Sequence, residues 1–201
     1  MPDPFSILLP KRCVFCRKPH PDGLCGECRE GLPWRDPPDK NGVVSPLLYR
    51  EPVRSALHRY KFRGFSGYAE VFGLLMSQAV SGARVRADVV TWVPCSFLRK
   101  WTRGYDQSEK LARAVAKRLN LPAEKLLKKA RHTKPQTKMP DGAARRENVR
   151  GAFRLLQNPP GRSILLIDDI HTTGATMEEC RGILRSAGAG NVILCTAASR
   201  R

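Results

Sequence analysis

The sequence predicts an α/β domain with a mostly parallel sheet flanked by helices, preceded by a small cysteine-rich module. Three apolar segments predict buried strands, and amphipathic segments with helical spacing separate them. Strand, helix and strand in alternation imply parallel pairing through crossover helices. The three strand segments are DVVTWVP at 88–94, SILLIDDI at 163–170 and NVILCTAAS at 191–199.

Further elements lie before and between these strands. Residues 43–49 (VVSPLLY) are strand-like, and Pro46 is expected to interrupt their pairing because it has no N–H group. Another strand is expected near residues 153–156. Apolar residues at helical spacing predict four helices. These helices cover residues 52–62, 66–81, 106–119 and 177–188.

Charge, rather than hydrophobicity, sets this chain apart from an average domain. Among its 201 residues, 36 Lys and Arg outnumber 18 Asp and Glu, and the formal net charge is +18. Such an excess attracts phosphates and polyanions. No run of about 18 apolar residues occurs, and the first residues lack the basic start of a signal peptide. We therefore expect a cytoplasmic protein without membrane insertion.

Four of the seven cysteines form two C-x-x-C pairs, separated by eight residues that favour turns. Thiols stay reduced in the cytoplasm, and four thiolates in this pattern are typical of a structural zinc site. A redox pair and an iron–sulfur centre are the alternatives. The predicted zinc ligands are Cys13, Cys16, Cys25 and Cys28, and Cys95, Cys180 and Cys195 are expected to be reduced core residues.

A domain boundary is expected after the cysteine pairs, where Pro, Gly and polar residues accumulate in GLPWRDPPDKNG at 31–42. We predict a zinc-binding module with its linker at residues 1–41. The main domain is then expected at residues 42–201.

The strand at 163–170 leads into a segment suited to a sugar phosphate. Asp168 and Asp169 end the apolar run, where open α/β sheets place their ligands. The following loop opens a helix whose N–H groups and dipole favour an anion. The carboxylates would accept hydrogen bonds from ribose hydroxyls or face Mg²⁺. The alternative is that the acids and threonines only cap the helix. The loop residues are Thr172, Thr173, Gly174, Ala175 and Thr176.

The segment ILLIDDIHTTGAT at 164–176 resembles the phosphoribosyl pyrophosphate (PRPP) binding motif of type I phosphoribosyltransferases. Together with the four cysteines, three further segments resemble the ComF family, also called GntX-like, and this resemblance covers nearly the whole chain. It implies a type I phosphoribosyltransferase fold. The three segments are YKFRG at 60–64, VPCSFLRKWTRGYDQSEKLA at 93–112 and ENVRGAF at 147–153.

The resemblance also implies roles for individual residues. Arg103 and Gly104 match the segment that holds pyrophosphate, and Mg²⁺ accompanies PRPP. Two positions depart from the usual R-G-F-N-Q, because this chain has Tyr105 and Asp106 there. His171 stands where an aromatic or aliphatic residue is common, and we interpret it as a packing residue. The candidate catalytic residues are Asp168, Asp169 and Lys138, with Lys134 as a further cation for the leaving group.

Two segments carry eleven of the eighteen excess positive charges: residues 97–118 have a net charge of +5 and residues 128–150 of +6. The second segment has few apolar anchors. One interpretation is a mobile lid that closes over the reacting centre. The other is a solvated basic loop that contacts nucleic acid.

Three functions are consistent with these features. The first is an enzyme that displaces pyrophosphate from PRPP with an acceptor that the sequence does not identify. The second is a non-catalytic protein that keeps a PRPP pocket and binds single-stranded DNA through aromatic residues interleaved with basic ones. The third is a zinc-stapled scaffold. The ComF resemblance implies a part in DNA uptake and transformation, with DNA-uptake proteins as partners. The aromatic residues are Tyr60, Phe62, Phe65, Phe97 and Trp101.

Overall fold

A parallel sheet forms the centre of the protein in the computed structural model, which describes residues 11–39, 42–62, 65–96, 101–102, 104–136 and 139–200. The strands are β1 (Val43–Val44), β2 (Leu47–Leu48), β3 (Val89–Trp92), β4 (Leu127–Lys129), β5 (Phe153–Leu155), β6 (Ser163–His171) and β7 (Asn191–Ser199). The helices within the described ranges are α1 (Gly26–Glu30), α2 (Val53–Phe62), α3 (Tyr68–Gly82), α4 (Gln107–Leu119), α5 (Gly142–Val149) and α6 (Ala175–Ser186).

Strands β6 and β7 lie in the middle of the sheet. Strand β3 pairs with β6, and both β1 and β2 pair with the other side of β7, all in parallel. A parallel sheet needs cover on both faces, and Ile164 to Ile167 in β6 are accordingly fully buried. The predicted α/β class with a parallel sheet is confirmed.

Pro46 interrupts the edge strand as the sequence predicts. Val44 lies beside Cys195, and Leu47 lies beside Ala198, so the register on β7 is the same before and after the proline. One strand is therefore divided into β1 and β2, because Pro46 cannot donate a hydrogen bond at its position in the ladder.

Helix α4 begins at a cap that explains one departure from the family pattern. Asp106 accepts hydrogen bonds from the N–H groups of Ser108 and Glu109 at 3.1 and 3.3 Å, and its other oxygen accepts from Cys95 N at 2.9 Å. Its carboxylate is buried and held by backbone groups, so Asp106 is an N-cap residue. Helix α4 ends at Asn120, which has a positive φ of 54°.

The basic segment at 128–150 contains more regular structure than the sequence suggests. Strand β4 pairs antiparallel with β5, and α5 occupies the second half of the segment. Buried apolar residues anchor both ends, among them Leu127, Val149 and Phe153. The described residues of the connection between β4 and α5 form neither strand nor α-helix, and a mobile lid there remains a prediction.

The cysteine-rich module shares a core with the sheet. Val14, Phe15 and Leu24 belong to the same buried cluster as Phe72 of α3, and the rings of Phe15 and Phe72 meet edge to face with centroids 6.0 Å apart. Arg59 of α2 donates to the carbonyls of Val14 and Phe15 at 2.7 and 3.1 Å. The boundary near residue 41 remains a prediction. No helix in the described part of the chain has the length and apolarity needed to span a membrane.

Candidate functional site

Both predicted acids lie near the carboxyl end of the central strand β6. Asp168 Oδ1 accepts a hydrogen bond from the Ser108 hydroxyl at 2.8 Å and another from Asp169 N at 2.9 Å. Ser108 is in the first turn of α4, which follows the predicted pyrophosphate segment. The acid pair is therefore connected to the element that the resemblance places on the pyrophosphate side.

A lysine that sequence reasoning did not assign to the site neutralises one acid. Lys61 Nζ, at the end of α2, lies 2.9 Å from Asp169 Oδ2, and the two side chains are only 21% and 13% exposed. The sequence offered a signal, because Lys61 lies within YKFRG. The two acids thus have different environments: Asp169 faces a cation, and Asp168 faces a hydroxyl.

This asymmetry affects the ionisation of Asp168. Burial, followed by the charge of Asp169, raises the pKa of Asp168 to about 7, against an ordinary value of 3.8. The hydrogen bonds from Ser108 and Asp169 N, and the charge of Lys61, act in the opposite direction. Such a raised pKa is common where a site holds charged groups together for a ligand.

We expect Asp168→Asn to stabilise the ligand-free protein at neutral and alkaline pH. The pKa of Asp168 is higher in the folded than in the unfolded state, so the unfolding free energy falls as the pH rises from about 4 to about 7. Asparagine does not titrate, and its amide oxygen can still accept from Ser108. Urea unfolding should show a gain on the order of 1–3 kcal/mol at pH 8 and almost none at pH 4. An equal effect at both pH values would contradict this explanation.

The loop after the acids has a glycine where helix α6 begins. Gly174 has a positive φ of 75° and is the N-cap residue, so no side chain caps this helix. The acids and threonines therefore do not cap α6, which argues against the alternative that capping is their only role. A Cβ at position 174 would also lie 2.6 Å from His171 Nε2. Both the backbone angle and this close approach favour glycine, and the N–H groups at the start of α6 have no side-chain cap, which suits an anion.

His171 packs under the loop. Its side chain is buried, which lowers its pKa, and its carbonyl accepts a hydrogen bond from Arg200 N at 3.1 Å. Its close approach to position 174 fits a packing or loop-shaping role, which stays a prediction. The other loop positions are Thr172 and Thr176, which are partly exposed, the exposed Thr173 and the buried Ala175.

Part of the predicted pyrophosphate segment, including Arg103, lies outside the described residues, and so does Lys138 of the basic segment at 128–150. Gly104 is described and has a positive φ of 76°. The Tyr105 hydroxyl next to it donates to the carbonyl of Tyr60, which connects this segment to α2. The segment therefore adjoins the helix that supplies Lys61.

The four predicted metal ligands come together. Their sulfur atoms all lie within 4.8 Å of one another, and Cys16 Sγ and Cys25 Sγ are 3.7 Å apart. Tetrahedral zinc with Zn–S bonds of about 2.3 Å separates its sulfurs by about 3.8 Å. Although burial opposes ionisation, backbone N–H groups of Cys25, Cys16 and Phe15 lower the pKa of Cys13 to about 6. These thiols, completed by Cys28, fit a four-coordinate metal ion.

The remaining cysteines and the nearby histidine have other surroundings. Cys180 and Cys195 are fully buried in the two apolar clusters, and Cys95 is half-buried. All three thiols are reduced. His20 accepts a hydrogen bond from Asp22 N at 3.2 Å, which agrees with a loop role.

Known proteins are similar to this chain. The Phosphoribosyl transferase domain family matches residues 106–201. A solved glutamine phosphoribosylpyrophosphate amidotransferase from B. subtilis aligns with 64% of this chain and 26% of its own, at 25% identity and a TM-score of 0.45. Competence protein F of Haemophilus influenzae is 29% identical over 82% of this chain and 73% of its own length. DNA utilization protein YhgH of Salmonella typhi is 30% identical over 90% of this chain and 80% of its own. With that similarity and its four clustered cysteines, this chain belongs to the ComF, or GntX-like, family.

Proposed function

We propose that this protein binds PRPP with Mg²⁺ at the carboxyl end of β6 and takes part in DNA uptake and transformation. The observation that carries the proposal is the order of groups along the chain: two acids near the end of a central parallel strand, then a glycine-capped helix N terminus. The acids suit ribose hydroxyls, and the N–H groups of α6 suit a phosphate. A sugar phosphate contains both kinds of group.

The proposed contacts follow from this arrangement. The loop at 172–176 holds the 5-phosphate, and Asp168 and Asp169 accept hydrogen bonds from the ribose hydroxyls. Arg103 and Gly104 face the pyrophosphate, as the family resemblance implies. Lys134 and Lys138 supply further positive charge from the connection between β4 and α5.

Mg²⁺ fits the chemistry of the acid pair, because carboxylate oxygens are ligands that this ion prefers. When bound with PRPP, it would offset the charge of the pyrophosphate. Lys61 already places a positive charge on Asp169. We therefore expect Mg²⁺ to bind together with PRPP rather than to the free protein.

Phosphoribosyl transfer breaks the bond between C1 of the ribose and the pyrophosphate oxygen and forms a bond from C1 to a nucleophile. Positive charge develops on the sugar and negative charge on the leaving group, so the protein acts chiefly by placement and electrostatics. Asp168 and Asp169 are placed to favour the first charge and the basic residues the second. The acceptor can be identified by incubating the protein with PRPP and a series of bases and amines and measuring the release of pyrophosphate.

The names of the relatives support the cellular role. One is a competence protein and the other a DNA utilization protein. We propose that this protein acts in the cytoplasm, with DNA-uptake proteins as partners. The ion held by the four cysteines is, in this proposal, a structural zinc.

A thermal-shift experiment tests the proposed binding. PRPP with Mg²⁺ should raise the unfolding temperature, since a ligand at 100 times its Kd adds about 2.7 kcal/mol to the unfolding free energy. Ribose 5-phosphate should give a smaller shift, because it contacts the loop but has no pyrophosphate. The arm without Mg²⁺ should use a magnesium-free buffer instead of a chelator, which would also remove zinc. No shift with PRPP would reject the site.

A second candidate function, single-stranded DNA binding, is favoured by one observation. The side chain of Trp101 is 78% exposed and lies in the basic segment at 97–118. Phe62 is also exposed, at 58%. Tyr60, which the sequence grouped with these aromatics, is instead fully buried and donates its hydroxyl hydrogen to Gln107 O at 2.7 Å. We therefore propose that bases stack on Trp101 and Phe62.

We expect binding to oligothymidylate that weakens with salt. Replacing the exposed Lys128 and Arg146 by glutamine should reduce the log–log slope by about 1.4, at about 0.7 for each phosphate that is no longer neutralised. Lys129 is unsuitable, because its ammonium group bonds to the Thr133 hydroxyl at 2.8 Å. Trp101→Ala should cost about 1–3 kcal/mol with an unchanged slope. Fluorescence anisotropy at several salt concentrations measures both, and an absence of binding at low salt would exclude this function.

A further inference from the structure

The ENVRGAF segment has no part in the function proposed above, yet its asparagine contacts the basic connection directly. Asn148, in the last turn of α5, bonds both backbone groups of Lys134. The N–H of Lys134 donates to Asn148 Oδ1 at 3.1 Å, and Asn148 Nδ2 donates to the Lys134 carbonyl at 3.0 Å. One side chain thus holds residues 131–136, which we call the strap, against α5.

The same asparagine reaches the phosphate loop through a second amide. Asn148 Nδ2 also donates to Gln136 Oε1 at 2.8 Å. Gln136 Nε2 in turn donates to the carbonyl of Arg145 at 3.2 Å and to Thr176 Oγ1 at 3.3 Å. Thr176 belongs to the loop and to the first turn of α6. Two side chains therefore connect the strap with a predicted phosphate ligand.

Backbone groups fix the direction of this chain of hydrogen bonds. The N–H of Lys134 can only donate, so the atom of Asn148 that faces it must be the oxygen, and Nδ2 is left to face Gln136. Gln136 must then accept with Oε1, and its Nε2 faces the Arg145 carbonyl, which can only accept. Neither amide can turn over without placing two donors or two acceptors face to face.

We propose that Asn148 is a positioning residue that, through Gln136, turns the hydroxyl hydrogen of Thr176 toward the bound phosphate. A hydroxyl has one hydrogen to donate. Because Thr176 accepts from Gln136 on the protein side, that hydrogen is available to a phosphate oxygen in the loop. The inference rests on the proposed PRPP site and adds to it a phosphate donor whose direction is set outside the loop.

Other contacts should keep the surroundings folded when Asn148 is replaced. Arg131 donates to the backbone carbonyls of Asn148 and Arg150 at 3.2 and 2.8 Å. The N–H of Gly151 donates to Glu179 Oε1 at 2.7 Å, which attaches the segment to α6. None of these bonds uses the Asn148 side chain. The effect of a variant at this position can therefore be assigned to the loss of the side-chain amide of Asn148.

The first test compares Asn148→Asp with Asn148→Ala in the ligand-free protein. An aspartate still accepts from the Lys134 N–H but cannot donate, whereas alanine does neither. Amide hydrogen exchange followed by NMR should therefore show a protected Lys134 amide in the wild type and in Asn148→Asp, and exchange about tenfold faster or more in Asn148→Ala. Equal exchange rates in all three proteins would mean that the Asn148 side chain does not hold the strap against α5.

The second test is a double-mutant cycle on ligand binding. In Asn148→Asp, the carboxylate cannot donate to Gln136 Oε1, so either orientation of the Gln136 amide places Oε1 against an acceptor, the carboxylate or the Arg145 carbonyl. Gln136 is then no longer fixed as the donor to Thr176, and the Thr176 hydroxyl hydrogen loses its set direction toward the phosphate. The added charge also repels the ligand, but it does so whether or not the hydroxyl is present. Asn148→Asp should therefore weaken PRPP binding about tenfold more in the wild type than in Thr176→Val, since residues in one network are not additive. Additive effects would overturn the inference.

Titration with ribose 5-phosphate in the same four proteins separates this inference from the proposed function. If the wild type binds ribose 5-phosphate with the expected cycle but binds PRPP no better, the PRPP proposal fails and the positioning role of Asn148 stands. If PRPP binds and the cycle is additive, the PRPP proposal stands and the positioning role fails. If the wild type binds neither compound, both are overturned, whatever the Lys134 amide shows.

Discussion

Cys13→Ser is expected to destabilise the whole protein rather than the cysteine-rich module alone. The side chain of Cys13 is fully buried, and its cluster includes Phe72 of α3 and Trp92 of β3. Loss of one of four thiolates removes the metal, whose binding free energy is also folding free energy in such modules. Without the metal, Val14 and Phe15 lose their fixed positions on α3, and we expect a loss of several kcal/mol.

The fluorescence of Trp92 distinguishes destabilisation of the whole protein from destabilisation of the cysteine-rich module alone. Trp92 is buried in the sheet, whereas Trp34 and Trp101 are exposed and can be changed to phenylalanine to leave one probe. In that background, urea unfolding of Cys13→Ser should begin at a lower concentration at Trp92 itself. An unchanged Trp92 transition together with lost metal would mean that the sheet is stable without the module.

His20→Ala is the matched control. His20 lies between the two cysteine pairs, and within the described residues its ring accepts a hydrogen bond from Asp22 N and from no group of the main domain. The variant should keep about one zinc per chain, measured by atomic emission, and a nearly unchanged Trp92 transition. Loss of zinc in His20→Ala would instead make the histidine a ligand and leave one of the four cysteines outside the metal site.

The parts of the fold that sequence predicts well are those controlled by local chemistry. The apolar run Ile164 to Ile167 has both faces covered, and such a run is typical of a central parallel strand. Pro46 removes a donor wherever it stands in a strand, so its effect could be foreseen. The N-cap role of Asp106 was not predicted, because the helix was expected to begin at residue 106 itself, although an aspartate just before a helical segment is a common cap.

The missed features depend on residues far apart in the chain. Lys61 and Asp169, or Ser108 and Asp168, are brought together only when α2, α4 and β6 pack. YKFRG marks Lys61 as part of a family segment, but nothing near it in the sequence indicates that it contacts Asp169. The shared core has the same origin, because Val14 and Phe15 have no periodic pattern that marks them as partners of α3. The sequence therefore indicated the binding loop but not the charge balance around its acids.

That charge balance determines the result expected for the double variant with Asp168→Asn and Asp169→Asn. It should lose the Mg²⁺-dependent part of PRPP binding, because the carboxylate oxygens that suit the metal and the ribose hydroxyls become neutral amides. It should retain a weak binding that does not need Mg²⁺. Lys61, whose ammonium lies 2.9 Å from Asp169 Oδ2, loses its partner and is left as an uncompensated cation beside the proposed PRPP site.

Adding Lys61→Met to the double variant should remove this residual binding. Isothermal titration of PRPP with and without Mg²⁺ across the wild type, the double variant and the triple variant measures both effects. We expect the affinity with Mg²⁺ to fall at least about a hundredfold in the double variant, as when two charged hydrogen bonds of about 1.5 kcal/mol each are removed. Unchanged dependence on Mg²⁺ would place the metal away from the acids. Equal residual binding in the double and triple variants would show that Lys61 serves Asp169 alone and does not face the ligand.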